Sequence, residues 1–258
     1  MSGDRAVDVA VEAARAAGRI ALGYYRGGFD VVLKPDATPV TQADREAESA
    51  IVEIISRAFP DHGFLGEEFG SRGGKDVRWI IDPIDGTKNF VRGVPVWATL
   101  IALEERGEVT VGVIHNPVTG ELYTARRGGG AFLNGERLRV SGVGRLAEAT
   151  LLHTGLRPMR ATRAWDAFVR LVDATDRQRG PGDYLGYTLV AEGRAEIYVE
   201  IYPEGSGLKP WDVAPCKLLV EEAGGSFTDI AGNSTIHTGT ALATNGRLHD
   251  EVLALLRG

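Results

Sequence analysis

The segment Trp79-Ile80-Ile81-Asp82-Pro83-Ile84-Asp85-Gly86-Thr87 runs an apolar stretch straight into two acids, a proline, a glycine and a threonine. Pro83 fixes φ between the two carboxylates and holds Asp82 and Asp85 in a rigid turn, while Gly86-Thr87 offers backbone N–H groups and a hydroxyl to an anion. Paired carboxylates beside an anion cradle suit metal-assisted phosphate chemistry. The same residues also read as a strand-ending turn whose acids accept the turn's own N–H groups.

Two further segments concentrate acid where apolar residues surround it. Gly66-Glu67-Glu68-Phe69-Gly70 sets adjacent acids between glycines just after Phe64-Leu65, and Trp211-Asp212 opens a helix whose next turns are apolar. Alone, the first is also a solvated loop, and Asp212 is also an acid favoured by a helix dipole. Together, Glu67, Asp82, Asp85 and Asp212 form a set of hard oxygen ligands of the kind Mg²⁺ or Mn²⁺ prefers, in a chain poor in histidine clusters. Covalent phosphatase signals are missing: there is no Asp-x-Asp pair and no Arg-His-Gly. Nor is there a G-x-x-x-x-G-K-[ST] loop, a strand–G-x-G-x-x-G–helix unit or a G-x-S-x-G elbow. Metal-activated water remains.

These side chains need a frame, and periodicity supplies one. Apolar residues at Val7, Val11, Ala14, Ala17, Ala21 and Tyr25 predict a helix over Arg5–Tyr25, ended by Gly27-Gly28. A second helix is predicted over Thr41–Phe59, with a capping box from Thr41 to Asp44. Strands follow at Arg78–Ile81, Ala98–Leu103, Glu108–Ile114 and Glu121–Arg126, so the first part reads as α+β with an antiparallel sheet. The rest alternates: helices Arg163–Ala174, Tyr184–Glu192, Trp211–Ala223 and Leu248–Leu256, with strands Ala195–Tyr202, Ser226–Thr228 and Thr240–Thr244. That alternation predicts an α/β second part. The change of pattern puts the halves at 1–145, carrying most of the metal ligands, and 146–258, carrying Asp212 and the specificity residues.

Composition narrows the function classes. The chain has 258 residues, 43% hydrophobic and 25% charged, enough for a sizeable soluble core. Its 34 glycines are nearly twice the usual share, which favours a site built on loops. Net charge is −6 with no basic block, so neither nucleic acid nor an anionic membrane is an expected partner. The single Cys216 forms no internal disulfide, and a cytoplasmic location is expected. The first residues, with Asp4, Asp8 and Glu12 among alanines and valines, do not read as a signal peptide.

With these motifs in order along nearly the whole chain, the sequence resembles the inositol monophosphatase superfamily of Mg²⁺-dependent phosphomonoesterases. The resemblance rests on Gly66-Glu67-Glu68, Asp82-Pro83-Ile84-Asp85-Gly86-Thr87, and Trp211-Asp212 followed by Glu222-Ala223-Gly224-Gly225. It implies an α+β / α/β layered αβαβα sandwich and a homodimer. It implies that Glu67, Asp82, the Ile84 carbonyl, Asp85 and Asp212 hold two Mg²⁺ ions, with Asp44 near a weaker third. It also implies that Thr87 and Glu67 polarise an attacking water, that Gly86 and Thr87 amides carry the phosphate, and that Lys34 steadies phosphate or the third metal.

Within that superfamily the wording is most similar to the histidinol-phosphate phosphatase branch. The stretches are Lys34-Pro35-Asp36-Ala37-Thr38-Pro39-Val40-Thr41, Phe64-Leu65-Gly66-Glu67-Glu68-Phe69-Gly70 and Asn89-Phe90-Val91-Arg92-Gly93-Val94-Pro95. The implied substrate is a small phosphate ester, histidinol phosphate; the alternatives are an inositol 1-phosphatase or a broad sugar-phosphate phosphatase, and a non-catalytic regulatory protein on the same fold. Gly182-Asp183-Tyr184 adds an acid where inositol monophosphatases carry a small residue, and an acid there would pair with the substrate's ammonium. Asp183 reads equally as an N-cap for the helix starting at Tyr184. Glu200 or Glu204 would supply the substrate-side glutamate.

Overall fold

A computed structural model describes residues 2–27, 31–33, 39–203 and 205–257, with side chains described for 3–25, 42–203 and 205–257. The chain divides into two compact units, Met1–Glu136 and Arg137–Gly258.

The first unit starts with α1 (Ser2–Gly27), the short strands β1 (Val31–Leu33) and β2 (Pro39–Thr41), and α2 (Gln42–Ala58). There follow β3 (Gly63–Gly66), β4 (Gly70–Arg72), β5 (Val77–Asp85), α3 (Thr87–Val91), β6 (Ala98–Glu105), β7 (Glu108–Asn116), β8 (Glu121–Arg126), β9 (Gly130–Leu133) and β10 (Glu136–Arg137). The main sheet has eight strands in the order β10-β9-β8-β7-β6-β5-β3-β4. From β9 to β4 its pairings are antiparallel except for β3 with β5.

Alanines on α1 explain how closely it packs. Ala6, Ala10, Ala13, Ala14 and Ala17 are buried with Ala47, Ile51 and Ile55 of α2 against Trp79, Ile81, Ile101, Leu103, Val111 and Val113. A side chain at Gly18 would meet His115 and Pro117 at 3.1 Å, so this helix lies with its backbone nearly on β7 and the turn after it. The second apolar cluster, Ala21, Ala43, Ile84, Phe90 and Trp97, gathers around the end of β5. There Phe90 meets Trp97 edge-on at 4.9 Å, an arrangement aromatic quadrupoles favour, and this seats the short α3.

The second unit adds β11 (Thr150–His153), α4 (Leu156–Arg160), α5 (Trp165–Ala174), β12 (Arg177–Arg179), α6 (Asp183–Ala191), β13 (Ile197–Ile201), α7 (Pro210–Glu222), β14 (Ser226–Thr228), β15 (Thr240–Thr244) and α8 (His249–Arg257). Its five strands run in the order β12-β11-β13-β15-β14, with β11 parallel to both neighbours and the rest antiparallel. Strand alternation divides β13 between two environments. Ile197, Val199 and Ile201 pack with Phe168, Leu171, Val252 and Leu256 of α5 and α8. Tyr198 and Glu200 face the other way, where Tyr187 of α6 stacks edge-on to Tyr198 at 4.6 Å.

Among the described residues no helix is long and apolar enough to cross a membrane. The predicted elements carrying candidate acids are present with shifted ends. The main difference is β5, which continues past Ile81 to Asp85, because Asp82 and Asp85 still pair with Leu100 and Ala98 on β6. Strands β1 to β4 and β9 to β12 and helices α3 and α4 were not predicted; none is longer than five residues, too short for a periodic signal. The predicted Thr41 capping box lies outside the described side chains.

Candidate active site

The first unit brings its acids together through strand register. Between Asp82↔Leu100 and Asp85↔Ala98 the pairing slips, so β5 contains one residue more than β6. On a regular strand, residues three apart point to opposite faces. The extra residue at Pro83-Ile84 undoes that alternation, as bulges do. Asp82 and Asp85 accordingly offer carboxylate oxygens within 4.8 Å of one another, with only 2% and 8% of their surfaces exposed.

The turn is held by its own polar groups. Ile84 N donates to Asp82 Oδ1 at 3.0 Å, Thr87 Oγ1 donates to the Ile84 carbonyl at 3.1 Å, and Thr99 Oγ1 donates to the Pro83 carbonyl at 2.9 Å. Gly86 sits at φ 84°, the left-handed conformation in which glycine is unstrained, and turns the chain into α3.

Glu67 arrives by the parallel pairing. Gly66 lies opposite Ile81, and the Glu67 N–H donates to the Ile81 carbonyl at 3.2 Å, which places Glu67 beside Asp82 in register. Asp44 is buried in the first turn of α2. One turn on, Glu48 is buried too, accepting from the N–H groups of Glu68 at 2.9 Å and Phe69 at 3.1 Å. Burial pushes the Glu48 carboxyl up to about 7; the charges of Glu68 and Glu67 push the same way, against the pull of the two N–H bonds.

The second unit assembles acids of its own. Asp212 is in the first turn of α7 behind Pro210, and its Oδ2 accepts the Lys209 N–H at 2.6 Å. The helix-end reading of Asp212 is therefore satisfied through one of its oxygens. Glu200, 2% exposed, accepts a 2.6 Å bond from the Tyr187 hydroxyl. Burial pushes its carboxyl up to about 8, with the charges of Asp183 and Asp212 adding to the rise and hydrogen bonds from Tyr187 and Tyr198 opposing it. Burial also raises both tyrosines, so they stay protonated donors.

Asp183 has φ 49°, a costly conformation for a residue with a side chain, and Tyr198 Oη donates to its carbonyl at 3.2 Å. The cap of α6 is Gly182, and the helix starts at Asp183 rather than Tyr184.

Of the predicted site residues, Asp44, Glu67, Asp82, Ile84, Asp85, Gly86 and Thr87 belong to the first unit and Asp183, Glu200 and Asp212 to the second. Lys34 and Glu204 lie outside the described residues. Glu48 was missed, although an acid four residues after Asp44 on a helix face of Ala43, Ala47, Ile51 and Ile55 was a readable signal. The tyrosines around Glu200 were also missed, and Tyr198-Val199-Glu200-Ile201-Tyr202 was their period-two signature.

The Inositol monophosphatase family profile matches residues 4–258, and the chain belongs to that family. It is a phosphomonoesterase with the inositol monophosphatase fold. Among its relatives is a histidinol-phosphatase of Mycobacterium tuberculosis, 47% identical over 86% of this chain and 86% of that one. Another is the Nus factor SuhB of Pasteurella multocida, 39% identical over 96% and 94% of the two chains. The solved inositol monophosphatase from Anabaena superposes with a TM-score of 0.85 at 34% identity, covering 100% of this chain and 97% of that one.

Proposed function

We propose that the protein hydrolyses L-histidinol phosphate to L-histidinol and phosphate, with Mg²⁺ as its metal. The observation that carries this reading is the 47% identity to a histidinol-phosphatase, which extends over the segments bearing the acids described above.

The donor set suits a hard divalent cation. Asp82 and Asp85 present oxygens within 4.8 Å of one another, and the groups beside them are carboxylates and a carbonyl rather than thiolates or imidazoles. In this reading Glu67, Asp82, the Ile84 carbonyl, Asp85 and Asp212 hold two Mg²⁺ ions, and Asp44 lies near a third. Bound there, the metal supplies Lewis-acid activation of water and neutralises charge on the phosphate.

The chain's own groups do the rest. Thr87 spends its hydroxyl proton on the Ile84 carbonyl, so its oxygen is left to accept a hydrogen bond from the attacking water. Glu67 accepts the water's other hydrogen bond; as the bond from water oxygen to phosphorus forms, the bond from phosphorus to the histidinol oxygen breaks, and the proton the water loses goes to that departing oxygen. The amides of Gly86 and Thr87 receive phosphate oxygens, and Lys34 adds a cation to them. Asp183 pairs with the substrate ammonium, and Glu200, with its tyrosine donors, forms the polar wall behind it.

A second reading, inositol phosphate as substrate, is favoured by the 34% identity to the Anabaena enzyme. Phosphate release from histidinol phosphate and inositol 1-phosphate, measured side by side, separates the two. The proposal expects a kcat/KM ratio of at least about 100 in favour of histidinol phosphate, about 3 kcal/mol of discrimination. A ratio below one contradicts it.

A further inference from the structure

We propose that Glu48 is a positioning residue for Glu67: its carboxylate clamps the loop that carries Glu67 and thereby sets the affinity of the metal site. The inference rests on the metal reading given above and extends it to a residue outside the ligand set.

Glu67 stands on a loop anchored at both ends. On one side its own N–H is tied to Ile81, next to Asp82. On the other, the next two amides, Glu68 and Phe69, both point at Glu48, one to each oxygen, at 2.9 and 3.1 Å. The carboxylate also lies on the backbone before Glu67. A Cβ at Gly66 would fall 1.9 Å from Glu48 Oε1 and 2.5 Å from its Cδ, so glycine makes room for this contact.

Burying a carboxylate is expensive, and an alanine or leucine would fill a helix face among Ala43, Ala47 and Ile51 at less cost. Among the described residues no lysine or arginine pairs with Glu48. What a carboxylate offers and an apolar side chain does not is two acceptors 20 and 21 residues from the amides they fix. A rigid α2, whose Asp44 lies one turn earlier, thus sets where Glu67 stands relative to Asp82. Partners that orient a metal ligand are typically worth about 10- to 100-fold in metal affinity.

Two variants disturb this clamp from opposite sides. Glu48→Gln keeps the shape but turns one acceptor into a donor facing an N–H. Gly66→Ala pushes aside the flexible end of Glu48 while the loop keeps its sequence. Mn²⁺ binding to the purified proteins, followed by titration calorimetry, should weaken about tenfold or more in each, and the double variant should lose little beyond the worse single one. Half-activating Mg²⁺ should rise in parallel, with KM at saturating Mg²⁺ within about twofold of the parent. Binding within twofold of the parent in both variants, whatever happens to Tm, overturns the proposal. Glu67→Gln serves as the reference. If it weakens Mn²⁺ binding and the other two do not, the clamp alone is wrong; if it leaves binding unchanged, the metal reading falls and the clamp with it.

Discussion

Asp82 and Asp85 face the same side of β5 although three positions separate them, because one extra residue at Pro83-Ile84 interrupts the pairing with β6. The irregularity is held from below by the Thr99 hydroxyl on the Pro83 carbonyl and from above by the Asp82 carboxylate on the Ile84 amide. Two carboxylates are thus kept close inside a well-buried turn. Under the proposed function, a bound cation would offset the repulsion between them.

Asp85→Asn removes one charge and keeps the shape. Turnover with Mg²⁺ should fall about 1,000-fold, the several kcal/mol expected for a lost metal ligand, while the circular dichroism spectrum is unchanged. Phosphate-release assays and thermal melts on the same preparation check both halves. Activity within tenfold of the parent would remove Asp85 from the reacting centre.

Asp183→Ser tests substrate choice. KM for histidinol phosphate should rise about tenfold or more, and KM for inositol 1-phosphate should stay within about twofold, since only the former carries an ammonium to lose. Equal effects on both substrates would leave Asp183 a structural residue at the start of α6.

Gly186→Ala probes the link from α6 to Asp183. The added methyl would meet the Tyr198 ring carbons at 2.4 Å, and that ring is fully buried. The ring must move, which should cost about 1–3 kcal/mol of stability and loosen the Tyr198 bond to the Asp183 carbonyl. Denaturant melts measure the first. A blunted preference for histidinol phosphate measures the second.

Glu200 predicts a pH dependence with a definite sign. Its folded carboxyl titrates at about 8 against an ordinary 4.5, so the folded state holds its proton over a window in which the unfolded state has lost it. Stability contributed by this group is therefore full below about 4.5 and is lost as pH rises to about 8. Glu200→Gln keeps an acceptor for Tyr187 and removes the titration. Melts in chelator should show the variant gaining on the parent from pH 5 to pH 8, by roughly one to several kcal/mol. A difference that stays flat with pH would contradict the buried-carboxylate account.

The candidate acids were legible because acid is conspicuous at a strand exit: Asp82 and Asp85 follow directly on the apolar Trp79-Ile80-Ile81. The reason they converge was not, since a bulge depends on where β6 pairs and β6 is written a dozen residues later. Glu67 stood out as charge between glycines, but its nearness to Asp82 comes from the parallel β3–β5 pairing, and β3 is four residues long. Period-two patterning found β13, yet Glu200 gave no hint that Tyr187, thirteen positions back, would close over it. Asp183 was noticed for its charge; its positive φ follows from the turn at Gly182, which charge patterning does not report. Local chemistry was readable, and what pairing and tertiary contact decide was not.

The most direct test is phosphate release from L-histidinol phosphate by the purified protein with Mg²⁺, after chelation, and after Mg²⁺ is restored. The account predicts rapid release, its loss on chelation and its full return. Release that continues undiminished in chelator would contradict it at the centre, because the Asp82–Asp85 pair would then have no cation to hold.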